Sequence, residues 1–322
     1  MKATHAKLVF LALLCFSFGL MACERPEEKP DSSAKAEAPQ PQPTSEPEPA
    51  AARPSTELDE NPKISELWGA KHENGVVKVE LRDLDEDERK RLAALFADAD
   101  APVAFAADKM PERFADVDAV DVLTPEGPTR LEIAQLVQEG GPSQMHYWLH
   151  TQKSDALPKD LGWTLATPAG QMGDTARMRP AEPQPVHAKA APKLAKAFLG
   201  ALDEKDRDRV AKKLEDEHML GVSARLPSPH GQVVAINVPG KNQMPLAQGV
   251  FVAKDTGEVT HTVKEPFVGP LGTIEILAVA DPDGDDIDGV LYRMNTDGYW
   301  IKWIHFDEQG NVVVETLAGF AA

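Results

Sequence analysis

The sequence predicts an α+β body, mainly antiparallel β with a few helices and a β-rich C-terminal half. Two observations carry this. From Gly221 onward, short apolar or alternating runs recur, separated by Gly, Asp and Asn turns too close together to hold crossover helices. Helical periodicity, by contrast, is confined to a few stretches between Asp85 and His218.

In order, the Asn74-Gly75 turn precedes Val76–Leu81, whose alternation reads as a strand. From Asp85 the period becomes helical, with Leu92, Leu95 and Phe96 on one face and Glu86, Arg89 and Lys90 elsewhere. Residues 102–106 read as a short strand and 110–118 as a loop with one helical turn. Ala119–Thr124 is a strand ending at the Pro125-Glu126-Gly127-Pro128 turn. Residues 129–138 are ambiguous: Thr129 with Glu132 fits a capping box, while Leu131, Ile133 and Val137 alternate as in a strand. The flanking turns and the run Met145-His146-Tyr147-Trp148-Leu149-His150 favour a hairpin. Residues 161–167 form another strand, and 168–187 a Gly- and Pro-rich loop.

Pro192 suits a first helical position, with Leu194, Phe198 and Leu202 spaced four apart. Asp203 is expected to cap a charged helix running to about His218, with Val210 and Leu214 inward. Strands follow over 222–226, 233–238, 249–253, 259–263, 273–280, 290–294, 299–306 and 312–317. The composition changes near Pro180–Pro185, a candidate boundary between an α+β subdomain, 63–185, and a helical pair with antiparallel β, 186–322, or equally a long loop inside one domain.

Before the body, residues 1–22 combine Lys2 and Lys7, an apolar run over 8–18 and a small-residue end, the layout of an export signal. That run is too short for an ordinary membrane span. Leu20-Met21-Ala22-Cys23 resembles the lipobox of bacterial lipoproteins, with methionine where a small residue is more usual. The resemblance implies that Cys23 is lipidated and becomes the first mature residue, attaching the protein to a membrane. Glu24 in the next position implies the outer membrane, at its periplasmic face or surface. A multiply acylated cysteine anchors stably where a single chain would not. An ordinary signal peptide and an uncleaved anchor are the plainer alternatives. Residues 23–62 are rich in Pro, Glu, Ala, Ser and Gln, with Leu58 as their only large apolar residue. They cannot bury enough surface to offset chain ordering and read as a disordered tether.

The formal charge is −18, and residues 63–322 retain −14 of it. With no basic stripe, nucleic acid is excluded as a partner, and an envelope protein or glycan is expected instead. The two cysteines, Cys15 and Cys23, both fall in the export and anchoring segment. The body therefore has no disulfide, thiolate nucleophile or cysteine–zinc site.

The most specific constellation is Asp281-Pro282-Asp283-Gly284-Asp285-Asp286-Ile287-Asp288-Gly289, set between two apolar strands. Neighbouring carboxylates repel by roughly 1 kcal/mol per close pair even in water, and a cation removes that cost. Alternate acidic positions around a glycine bend are the arrangement of calcium loops. The stretch resembles the loop of FG-GAP and VCBS-type calcium-binding repeats, in a single copy over about 273–319. The resemblance implies side-chain oxygens from Asp281, Asp283 and Asp285, the Ile287 carbonyl, a closing carboxylate from Asp288, and a structural calcium. Asp286 stands where glycine is usual, and Gly289 where an acidic residue is common.

Other constellations read more plainly. Asp255-Thr256-Gly257 matches the aspartic-protease triplet but lies in a single copy, between Lys254 and Glu258, and reads as a hairpin turn. His146 and His150 would meet one metal on a helix, but on a strand they stand roughly 13 Å apart. The run from Tyr299 to Phe306 places large apolar residues on both faces of one strand, as in a central strand covered on both sides or, alternatively, an aromatic ligand platform. No Gly-x-Ser-x-Gly elbow, phosphate loop or dinucleotide fingerprint is present.

These readings point to a lipid-anchored, non-enzymatic envelope binding or scaffold module. The alternatives are a metal-dependent hydrolase using residues 281–288 and a surface adhesion or assembly lipoprotein. The latter would show an exposed aromatic patch including Trp300. Oligomeric state is not encoded in any recognisable pattern.

Overall fold

The structure, a computed structural model, describes residues 64–97, 102–141, 144–186, 190–241, 244–269, 272–295 and 298–321. The expected export signal, the expected lipidation site Cys23 and the expected tether lie outside the described residues. Among those described, no helix is long and apolar enough to cross a membrane.

The first eight elements to note are β1 (Trp68–Glu73), β2 (Val76–Leu81), α1 (Glu86–Leu95), β3 (Val103–Ala104), β4 (Ala119–Thr124), β5 (Gly127–Gly141), β6 (Gln144–Thr151) and β7 (Trp163–Pro168). Six of the strands run in the order β5-β4-β7-β1-β2-β6, and β6 pairs back onto β5 to close an antiparallel barrel. Closure leaves the barrel without a free edge, and β3 adds onto β5 as an extra strand. Alternation sets the core. Val77, Val79 and Leu81 of β2 pack with Leu149 of β6, Val122 of β4 and Leu165 of β7.

The chain then continues through β8 (Arg177–Pro180), β9 (Gln184–Pro185), α2 (Ala191–Gly200), α3 (Glu204–Ala211), β10 (Met219–Ser223), β11 (Gln232–Pro239), β12 (Pro245–Ala253) and β13 (Val259–Val268). It ends with β14 (Ile274–Asp281), β15 (Gly289–Asn295), β16 (Gly298–Phe306) and β17 (Val312–Ala321). A second antiparallel sheet has the order β17-β16-β15-β14-β8, and a third the order β13-β12-β11-β10-β9.

Three cores stack these parts. Ala278, Ala280, Leu291, Ile301 and Trp303 of the second sheet join the core of the barrel. From the opposite face of the same sheet, Ile276, Val279, Val290, Tyr292 and Ile304 meet Val222, Val233, Ala235, Val250 and Val252 of the third. The far face of the third sheet presents Val234, Ile236 and Phe251 to Leu194 and Phe198 of α2 and Val210 of α3. Phe198 and Phe251 meet edge to face at 6.3 Å. β16 is thus covered on both faces, which explains its two-sided apolar pattern.

The described residues are mostly antiparallel β, and several elements depart from the sequence expectation. β1 is a strand that local pattern does not announce, since Trp-Gly-Ala-Lys-His-Glu lacks β-branched residues. Its small residues answer to a neighbour: a Cβ on Gly69 would stand 3.0 Å from the Leu317 Cβ of β17. The expected loop 168–187 contains β8 and β9. Both are edge strands held by tertiary pairing, β8 on β14 and β9 on β10. The charged helix stops at Ala211 instead of reaching His218. Asp203 occupies its N-cap position without a side-chain cap bond. A separate 3-10 turn, Asp216–His218, then leads into β10, which begins at Met219 because that residue pairs with Ile236 and is buried.

Candidate functional site

The Asp-rich loop joins β14 to β15, the two strands at the centre of the second sheet's pairing. Their apolar residues are buried on both faces, so the loop's ends are fixed. Asp281 is 3% exposed and organises the turn. Its Oδ1 accepts the backbone N–H groups of Gly284 (2.8 Å) and Asp285 (3.1 Å), and its Oδ2 that of Asp286 (3.1 Å). Such a carboxylate-centred turn supplies the backbone with partners that a sheet ladder no longer offers. Gly284 has φ +74, and a Cβ there would collide with the Thr175 hydroxyl, so both backbone angle and space require glycine. Asp286 takes φ 69 without being glycine, a left-handed conformation that Asp tolerates better than most residues.

Carboxylate oxygens of Asp281, Asp283 and Asp285 lie within 4.8 Å of one another. These are three of the positions expected to supply side-chain oxygens, and their convergence fits a divalent cation bound by oxygen donors. Asp283 is half-buried. Burial first, then the charges and hydrogen bond of Asp285 and Asp281, push its carboxyl up to about 6. Ile287, expected to offer its carbonyl, is 39% exposed at the loop's outer rim.

Asp288 has a different setting. It is 4% exposed and bound to arginine: its Oδ1 accepts from Arg225 Nη2 at 2.9 Å and its Oδ2 from the Arg225 N–H at 2.7 Å. Arg179 Nη2 stands 3.5 Å from the same Oδ2. Arg225 also bonds the Asp286 carboxylate and reaches Asp281 Oδ2 at 3.3 Å. The acidic loop therefore carries its own countercharge, a guanidinium from the β10–β11 connection. Sequence reasoning treated 222–226 as a plain strand and missed this residue. Arg225 is 56 positions from Asp281, and no local spacing links them.

On one side the loop opens on a cleft of about 540 Å³, bordered by Asp283, Asp285, Trp303, Glu308, Glu315 and Glu66. The other constellations separate. His146 and His150 both lie on β6, but His146 Nδ1 meets Glu80 Oε1 at 2.6 Å while His150 Nδ1 stands 3.4 Å from the Gln135 amide. With different partners, they do not face one ion. Asp255-Thr256-Gly257 forms the β12–β13 turn, closed by Gly257 N–H to Lys254 O at 2.8 Å. Trp300 is half-buried against the core between the second and third sheets. The exposed large apolar side chains among the described residues are Met244 and Ile287, which form no aromatic patch. Among known proteins, no family model matches this chain and no curated sequence matches it.

Proposed function

We propose that this chain is a lipid-anchored, non-enzymatic module of the cell envelope, an α+β body held away from its membrane by a tether and stabilised by a calcium-binding hairpin. The carrying observation is the lipobox-like Leu20-Met21-Ala22-Cys23 followed by a Pro- and Glu-rich stretch that cannot fold alone. Cys23 is the attachment point and the outer membrane the address. The convergence of Asp281, Asp283 and Asp285 supports the calcium reading and the FG-GAP/VCBS-type likeness of the loop. Asp288 is better read as a partner of Arg225 than as the closing ligand, so water would complete the coordination shell, as in weak calcium sites.

A thermal melt of the full chain in detergent, in millimolar calcium and then in chelator, tests the ion. A site of ~0.1 mM affinity stabilises by about 1.4 kcal/mol at ~1 mM calcium, a midpoint rise of a few degrees. Asp283→Ala should abolish the rise. Superimposable melts in the two conditions would remove calcium from the reading. For the anchor, a Cys23→Ala variant should leave the membrane fraction, and its full retention there would sink the lipoprotein assignment.

A metal-dependent hydrolase is the second reading, favoured by one observation: Asp283 and Asp285 border a cleft instead of being closed in by protein. Calcium-raised stability without turnover of ester or phosphoester substrates in any divalent cation would decide for the module.

A further inference from the structure

A second cavity of about 540 Å³ opens where β8 of the second sheet meets β9 and β10 of the third. It shares no bordering residue with the cleft beside the Asp-rich loop. β9 pairs with β10 only at Gln184–Gly221 and Pro185–Leu220, so Val222 and Ser223 at the end of β10 are left to border the cavity. Asp255 of the β12–β13 turn borders it too. Two of the bordering side chains are seated over glycines. A Cβ on Gly221 would stand 2.5 Å from Gln232 Oε1, and one on Gly231 would overlap the Asp255 carboxylate. Gln232 Nε2 donates to Lys254 O at 3.4 Å, which leaves Oε1 as an acceptor.

The Asp255 and Glu182 carboxylates bordering the cavity make no hydrogen bond or ion pair among the described residues. Arg179 supplies donors. Its Nη2 donates to Ser223 O at 2.8 Å and stands 3.5 Å from Asp288 Oδ2, so Nε and Nη1 are left to donate elsewhere. The cavity therefore offers both donors and acceptors. An ammonium group could use only the acceptors, and a carboxylate or phosphate only the donors. A sugar hydroxyl donates and accepts at once, and two adjacent hydroxyls match the two oxygens of a carboxylate. Pro180, Pro185 and Val186 give the same cavity apolar surface suited to the C–H face of a sugar ring. Its volume lies in the range of small-molecule sites, roughly 300–1,000 Å³.

We propose that this cavity binds a neutral saccharide unit, with Asp255 and Gln232 accepting from its hydroxyls and Arg179 donating to its oxygens. Seating Gln232 over Gly221 and Asp255 over Gly231 keeps both acceptors in place before the ligand arrives, which lowers the ordering cost of binding. The inference gives the binding module a ligand class and rests on that reading. It is independent of lipidation and of calcium.

The test is a saturation-transfer NMR titration of the full chain, in a detergent without a sugar headgroup. The probes are methyl glucoside, methyl galactoside, methyl mannoside and N-acetylglucosamine, with putrescine and succinate as cationic and anionic controls. At least one sugar should bind with a Kd on the order of 1 mM, more tightly than either control. Asp255→Ala should raise that Kd about tenfold, whereas Asp255→Asn, which keeps an acceptor oxygen, should raise it less than about threefold. Gly221→Ala displaces the Gln232 amide and should also weaken binding, while Glu204→Gln on α3 leaves it unchanged. Asp255 lies in an exposed turn, so its variants are expected to fold, and a melt of each checks this. No sugar bound at about 20 mM, a control bound more tightly than every sugar, or an unchanged Kd in folded Asp255→Ala would each overturn the proposal. If sugar binding fails while Cys23-dependent membrane retention and the calcium-shifted melt persist, this inference alone falls.

Discussion

At the scale of single residues, charge is either paired at once or kept neutral. The buried carboxylates Asp281 and Asp288 both bond Arg225, and Glu80, 2% exposed, accepts from Gly319 and meets His146. Removing one partner from such a pair costs more than the pair contributes, because the other charge stays buried. His150 takes the other course. Burial first, then the charge of Lys78 beside it, hold the ring down at about 4, while Glu73 pulls weakly the other way. Its folded value lies below the unfolded one, so the native ring refuses a proton that the unfolded ring accepts. Stability from this residue is therefore intact above about pH 6.5 and is lost as pH falls toward 4, by on the order of 3 kcal/mol. Urea midpoints of the natural chain and of His150→Gln, measured between pH 7.5 and 4, should converge as pH falls. Parallel curves would show that the ring titrates normally.

At the scale of elements, local chemistry suffices for some and not for others. α1 is short and mostly exposed, with Leu92 its one buried side chain, so its ends matter. Asp85 accepts the Glu88 N–H at 2.8 Å while Glu88 Oε2 accepts the Asp85 N–H at 2.9 Å, a reciprocal capping box. Asp85→Ala should cost about 1 kcal/mol, read as a lower urea midpoint with unchanged slope. The Asp85 start of this helix is legible because N-cap chemistry is local. The hairpin of β5 and β6 is legible for the same reason, through period-two alternation and glycine turns. β8 and β9 are not, since each becomes a strand only when a distant partner supplies its hydrogen bonds, and β1 is not because, although it pairs with β2 across the Asn74-Gly75 turn, it carries no β-branched residue to announce it.

At the scale of the molecule, the second sheet lies between two cores. Trp303 is 2% exposed in the core shared with the barrel, and its backbone neighbour Ile304 faces the third sheet. Trp303→Ala should destabilise by about 3–5 kcal/mol. Because both cores share β16, tryptophan fluorescence and far-ultraviolet circular dichroism should report one coincident, shifted transition. Two separated transitions would divide the body into independently folding parts, near the composition change at Pro180–Pro185.

The sequence by itself determined the antiparallel strands, the Asp281–Asp288 loop between two of them, and the acidic character of the body. All of these follow from periodicity, turn residues and charge, which are read within a few positions. The proposed lipobox and tether rest on the same local order of information. Tertiary structure alone decided two things. It closed six strands into a barrel by returning β6 to β5. It brought Arg225 across 56 positions to pair with Asp281, Asp286 and Asp288, and it converged the carboxylates of Asp281, Asp283 and Asp285. Strand pairing, burial and ion pairing between distant positions depend on where the chain returns, and that is set by the packing of the whole.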